Sequence, residues 1–223
     1  ALLSVIIEDV LGNPNIGVYC LSNEEILLTP PGLSKRKLVR FENCLKVKAY
    51  SVSISGSILI GVLAAANSKG MIVPHTIKDG EVKTLKKISD LNIFSPKVKW
   101  TAFGNLILVN EFGAVVAPFF PKSLIKKLTD HLGVEVVSGM INGQSYVGSL
   151  AVATNKGVLA NPFIKEEEKK LIEEILKVPV FTGTVNNGVV FLKSGLLANS
   201  KGAIAGSLTS GKELMIISQA MDV

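Results

Sequence analysis

Apolar and polar positions along this chain recur as a block, not in one period. Four segments share a design: Gly, an alternating apolar stretch, a polar turn ending in Gly, then a second short apolar stretch. They are Gly61 to Gly70, Gly104 to Gly113, Gly148 to Gly157 and Lys193 to Gly202, the last with Lys in place of the opening Gly. A degenerate fifth copy runs from Gly17 to Ile26 and on to Pro30. The starting positions 17, 61, 104, 148 and 193 lie 44, 43, 44 and 45 apart. That regularity marks a repeat architecture.

The Asn-Ser-Lys-Gly turns suit a tight reversal, with Gly expected at positive φ and Asn bridging its own backbone. Alternation on both sides predicts a β-hairpin, and Pro74, Pro118 and Pro162 stop its second strand. The period then becomes helical: Leu124, Ile125, Leu128 and Leu132 in one copy, Leu171, Ile172, Ile175 and Leu176 in the next. Glu166–Lys170, Lys169–Glu173 and Lys170–Glu174 are four-apart pairs on the wet face of that second helix. Ser210 and Glu213 have capping-box spacing and open the last helix. Weaker helical patterns cover Leu38 to Leu45 and Val82 to Leu91. A further strand opens each copy: Leu2 to Asp9, Val47 to Ile54, Val98 to Phe103, Val134 to Ile141 and Val180 to Val185.

Each unit is thus strand, hairpin and helix. A unit of about 44 residues buries too little apolar surface to stand alone, so neighbours must share a core. The last copy is as regular as the inner ones and carries no polar cap. The expected architecture is one α/β domain over residues 1–223, a five-fold ring with modules near 1–45, 46–91, 92–132, 133–177 and 178–223.

Composition supports a packed globule: 48% of residues are apolar and 19% charged, which excludes a disordered chain. The longest apolar run, Ile58 to Ala66, is far short of the roughly 18–20 residues of a membrane span. The opening stretch has no basic segment before its apolar residues and reads as a strand, not a leader. Cys20 and Cys44 sit among apolar neighbours and form neither a disulfide framework nor a metal site, which points to the cytoplasm. The net charge of +6 is compatible with an acidic partner. Only Arg36 and Arg40 among the 24 basic residues are arginine, however, and forked phosphate recognition favours arginine.

The phrases Thr101 to Asn110, Gly148 to Gly157 and Phe181 to Gly188 closely resemble the translation initiation factor 6 family of archaea and eukaryotes, and five such modules resemble the pentein propellers. The likeness covers essentially the whole chain. It implies a pentein-type propeller that binds the intersubunit face of the large ribosomal subunit, beside the sarcin–ricin loop and neighbouring ribosomal proteins. There it would block premature joining of the small subunit, with a role in large-subunit maturation. Release by a translational GTPase with a partner protein is also implied. The chain ends just after the fifth helical stretch, without the polar tail of eukaryotic members, which points to an archaeal origin. The expectation is a monomer with no membrane contact, no cofactor and no metal. Lys193, where the other copies have Gly, and the basic charge are departures.

Penteins also include hydrolases and transferases of guanidino compounds, which use a Cys of the last module, a His and carboxylates. Here Val178 to Val223 holds neither Cys nor His, so a thiolate with its base is missing where that chemistry needs it. Gly206 to Glu213 imitates a phosphate-binding loop, but Glu213 stands where a metal-holding hydroxyl belongs and would repel phosphate. His75 and His131 have no partners at ligand spacing. Lys35-Arg36-Lys37, Lys86-Lys87 and Lys126-Lys127 fall on helical stretches and read as solvated faces.

The candidate surface follows from the ring. A short polar loop links the first strand to the hairpin in every copy: Asn13 to Asn15, Ser55 to Ser57, Thr101-Ala102, Asn142 to Ser145 and Asn186 to Gly188. In a closed ring these loops share one face, and their side chains suit wet contacts with protein or RNA backbone. Asn15, Ser57, Asn105, Gln144, Asn186, Asn187 and Phe191 are the expected ribosome-binding residues. The competing reading is that the Asn and Gly residues only make turns.

Overall fold

The computed structural model describes residues 4–223. The first copy contains β1 (Val5–Ile7), α1 (Ile16–Tyr19), β2 (Leu21–Ser22), β3 (Ile26–Thr29) and α2 (Lys35–Leu45). The second contains β4 (Lys48–Ser51), α3 (Ile60–Leu63), β5 (Ala65–Ala66), β6 (Gly70–Ile72) and α4 (Asp79–Ile88). The third contains β7 (Asn92–Phe94), α5 (Phe103–Leu106), β8 (Ile107–Val109), β9 (Gly113–Val116) and α6 (Lys122–Leu132). The fourth contains β10 (Glu135–Ser138), a turn at 147–149, β11 (Ala151–Ala153), β12 (Val158–Ala160) and α7 (Glu166–Leu176). The fifth contains β13 (Val180–Thr182), α8 (Leu192–Gly195), β14 (Leu196–Asn199), β15 (Gly202–Ala205) and α9 (Gly211–Met221).

These strands form five three-stranded sheets. In each, an antiparallel hairpin from one copy takes a parallel third strand from the start of the next, as where Ile26 pairs with Lys48 and Val158 with Val180. The fifth hairpin takes β1 instead, with Val5 opposite Ala203. The inner strands β2, β5, β8, β11 and β14 touch in sequence, and β14 returns to β2. The fold is a five-fold pseudosymmetric α/β propeller of the pentein type.

Apolar cores fill the spaces between neighbouring sheets. Leu27, Phe41 and Leu45 from the first copy meet Leu197 and Ile204 from the fifth. Leu128 and Leu132 of α6 pack against Ile72 of the second copy and Val116 of the third. Each large apolar side chain buried this way contributes about 1.5–3 kcal/mol, and none of these cores belongs to a single copy.

Three expectations are corrected. The strand placed at Val98 to Phe103 lies instead at Asn92–Phe94. Pro96 follows it, and Val98 and Trp100 turn inward onto the core around Phe120 and Leu124. Second, the alternating stretch does not begin as a strand. In four copies its first residues form a single helical turn, closed in the first two by Cys20 N–H to Ile16 O and Ala64 N–H to Ile60 O. Third, the glycines ending the polar turns, Gly70, Gly113, Gly157 and Gly202, are not among the positive-φ glycines. A Cβ on any of them would lie 1.9–2.2 Å from the carbonyl oxygen of a neighbouring helix end, at His131, Ile175, Ala220 and Cys44 respectively. The first copy has Ile26 at this position. Of the expected first strand, Leu2 and Leu3 lie outside the described residues.

The expected Asn turns are present and do more than reverse the chain. The Asn67 Oδ1 accepts from the N–H groups of Lys69 and Gly70, while its Nδ2 donates to Asn110 O and to Leu132 O at the end of α6. Asn110 does the same toward Thr154 O and Leu176 O, and Asn199 toward Asn23 O and Leu45 O. Asn23 passes the chain on to Asn67 O. One side chain therefore closes its own turn, ties it to the next copy, and caps a helix C-terminus whose carbonyls lack helical partners. Thr154 is the one member without an amide.

Candidate functional site

At the end of the ring opposite this belt, the loops between outer strand and helical turn are built by one recurring contact. Position N3 of the outer helix falls at Lys37, Glu81, Leu124, Glu168 and Glu213, in step with the repeat. Where it is Glu, the carboxylate reaches the helix's own N-cap N–H and clamps the loop tip. Glu81 accepts from the N–H groups of Ser55 and Gly56, Glu168 from Asn142 and Gly143, and Glu213 from Asn187 and Gly188. Ser210 completes the expected capping box with Glu213. Burial alone would push the Glu81 and Glu213 carboxyls up, but these hydrogen bonds outweigh it and hold both below the ordinary value. Glu213 is almost covered, and burial is the largest single influence on it, but the hydrogen bonds from Ser210, Gly188, Asn187 and Thr184 together exceed it.

The tip held by Glu213 has three residues at positive φ, Asn186 to Gly188, and the others are two-residue turns at positive φ: Ser55-Gly56 and Asn142-Gly143, with Leu11-Gly12 in the first copy. These φ values are those of a hairpin turn whose twist matches its flanking strands. In the first copy the charges are reversed, with Glu8 paired to Lys37 and Arg40 of α2. In the third, N3 is Leu124, which is buried, and the apolar Val98–Trp100 loop replaces the turn.

Inside this ring of tips, all five copies meet at a vestibule of about 290 Å³ lined by Val18, Val62, Asn105, Tyr146, Phe191 and Lys193 among others. Asn105 and Phe191 thus come together at its rim, and Asn105 has no hydrogen bond to its side-chain amide among the described residues. Asn15 is exposed at the N-cap of α1. Ser57 and Gln144 close their turns through backbone bridges and are half-buried, while Asn187 is exposed at a tip.

Asn186 departs from expectation. It is only 6% exposed, and its amide donates to Pro14 O at 2.9 Å across the seam between the fifth and first copies. Its side chain closes the ring and is not part of the outer surface. For this residue the turn-making reading describes the geometry.

Reading single loops named Phe191 but missed Leu59 and Tyr146 beside it. Residues 15, 59, 102, 146 and 191 are equivalent N-cap or turn-entry positions. Three of them, Leu59, Tyr146 and Phe191, are large and 37%, 48% and 46% exposed. Aligning the copies on their own repeat would have shown these positions. The face therefore combines aromatic and apolar anchors with a polar surround, the composition that gives protein interfaces their affinity.

Among the described residues no other constellation competes with this face. Burial pushes the Cys20 thiol up to about 12 and the Cys44 thiol up to about 11, so neither is a nucleophile near neutrality. His131 stacks on Phe94 and binds Lys127 O through Nδ1. Among the described residues no group of three His, Cys, Asp or Glu is placed to hold a metal ion, and no helix is long and apolar enough to cross a membrane.

Comparison with known proteins agrees along the whole ring. The model of the eIF-6 family matches residues 7–220. Translation initiation factor 6 of Staphylothermus marinus is 39% identical over 215 residues, 95% of each chain. The protein of that name from Pyrococcus horikoshii is 37% identical over 218 residues, 96% of each chain. That from Cenarchaeum symbiosum is 41% identical over 212 residues, 95% of this chain and 96% of its own. Because the match runs through all five sheets and the relatives align over nearly their full length, the chain belongs to the eIF-6 family.

Proposed function

We propose that this chain is a non-enzymatic translation initiation factor. In this reading its loop face binds the intersubunit side of the large ribosomal subunit, near the sarcin–ricin loop, and obstructs joining of the small subunit. A role in large-subunit maturation and a cytoplasmic location belong to the same reading. Membership of the eIF-6 family carries it, and the names of the archaeal relatives supply the translational role. The loop face supports the mechanism. Its tips are held rigid by the Glu81, Glu168 and Glu213 clamps, so little ordering entropy is lost on docking. Aromatic anchors at Tyr146 and Phe191 lie beside the free amide of Asn105. A steric block needs no reacting group, only a surface that binds and a body behind it.

The alternative of a pentein hydrolase or transferase is disfavoured by the raised thiols of Cys20 and Cys44. Co-sedimentation with purified large and small ribosomal subunits tests the proposal. The chain is expected to pellet with large subunits alone and to lower the yield of joined ribosomes. Pelleting with neither, or with small subunits, would overturn it.

A further inference from the structure

Lys193 breaks the repeat where the copies approach most closely. A Cβ at Gly61 would lie 1.9 Å from Gly17 O, and one at Gly104 1.9 Å from Gly61 O. Between the fourth and fifth copies the packing differs: 147–149 form a turn, not a helix, and the Lys193 N–H donates to Ser149 O at 3.2 Å. A side chain is tolerated there. It lines both the vestibule and a smaller cavity of about 60 Å³ beneath it, walled by Ala65, Leu108, Ala151 and Leu197 of the inner strands.

Lys193 keeps part of its surface open to the vestibule, while the protein packed round it strips water from the amine. Burial accordingly pulls its pKa down to about 8. Among the described residues no carboxylate lies within 4.0 Å of the amine. Among the described residues the only other ionisable group lining either cavity is Tyr146. Near neutrality the site therefore holds one desolvated cation without a counter-charge, inside a collar of Val18, Val62, Tyr146 and Phe191.

We propose that the vestibule receives one carboxylate on an apolar stem, the acidic side chain of a polypeptide partner, seated against Lys193 between Tyr146 and Phe191. One recessed ammonium matches one unit charge on a slender group, and the attraction grows as water is excluded. A nucleic-acid backbone is held by several cations at once, and this recess offers one. The inference does not depend on which macromolecule the loop face binds.

The test uses the isolated chain, so its outcome is separable from ribosome sedimentation. Hexanoate, hexanol and dimethyl phosphate are titrated while the Tyr146 and Phe191 ring resonances are followed by NMR. Hexanoate is expected to shift both rings to saturation. Its binding should weaken at least about tenfold in Lys193→Met, which keeps the stem and removes the charge. Hexanol should bind the native chain no better than hexanoate binds that variant. Hexanoate binding should also fade as pH rises through about 8, where the amine loses its proton, and this dependence should vanish in Lys193→Met. Lys193→Gly, the residue of the other four copies, repeats the comparison in case the Met variant does not fold. Equal hexanoate affinity in native and variant chains, no saturable shift, or tighter binding of dimethyl phosphate would overturn the proposal.

Discussion

The side-chain amide of Asn199 donates to the backbone carbonyl of Asn23, 176 positions earlier in the chain, at 3.2 Å. This bond joins the last copy to the first within the belt of Asn turns. The same side chain holds Leu45 O at the end of α2 and the N–H groups of Lys201 and Gly202. Asn199→Ala leaves those buried groups without a partner and is expected to cost about 3 kcal/mol. Urea unfolding should show the loss as an earlier midpoint of a single transition, since no core belongs to one copy alone. A separate early transition of the fifth copy would contradict the shared-core account.

Close approach of Gly17, Gly61 and Gly104 sets the radius of the channel. In Gly61→Ala the new methyl would meet Gly17 O at 1.9 Å and Cys20 O at 2.5 Å, both backbone atoms. Overpacking of this kind is expected to cost about 3 kcal/mol. Gly211→Ala, where a Cβ meets nothing within 4 Å, should be neutral or slightly stabilising. Thermal unfolding of the two variants side by side checks the contrast.

The glutamate clamps make stability depend on acid in a set direction. Glu213 titrates below its ordinary 4.5 in the folded chain, so the folded state binds fewer protons than the unfolded state in that range. Its contribution is fully present above about 4.5 and is lost as pH falls through the lowered folded value. Glu213→Gln is expected to cost about 1–3 kcal/mol at pH 7 and to flatten the decline below pH 4.5. Urea midpoints of both chains at neutral and acid pH measure this, and an unchanged acid slope would count against the clamp.

On the loop face, Phe191→Ala is expected to weaken large-subunit binding by about 2 kcal/mol and Asn105→Ala by about 1 kcal/mol, with unchanged thermal unfolding. Asn186→Ala should instead lower stability, because its amide bridges the seam to Pro14 O. Charge reversal of Lys169 and Lys170 on α7 should matter little, as isolated surface charges do. Sedimentation at several salt concentrations separates these cases. If the α7 reversals abolish binding and the face variants do not, the contact surface is the outer helical ring.

Sequence alone determined the five copies, their order and most of their punctuation. Asn at the turn, Pro after the hairpin and the Ser210–Glu213 box act over three or four residues, so their chemistry is complete within a short window. The close-packed ring also followed, because a unit of that length cannot bury its own apolar face. Tertiary structure decided the rest. Ile16, Ile60, Phe103 and Leu192 begin a helical turn, not a strand, and over five residues the two periods place the same apolar positions inward. Backbone packing between copies accompanies the choice, with Gly61 and Gly104 lying against the carbonyls of the preceding copy. Gly70, Gly113, Gly157 and Gly202 answer to helix ends rather than to their own φ. Whether an amide points outward, as at Asn105, or into a seam, as at Asn186, depends on residues some 40 to 170 positions away. So does the placement of Lys193 in a channel. Those contacts exist only once the ring has closed, and no local pattern in the chain encodes them.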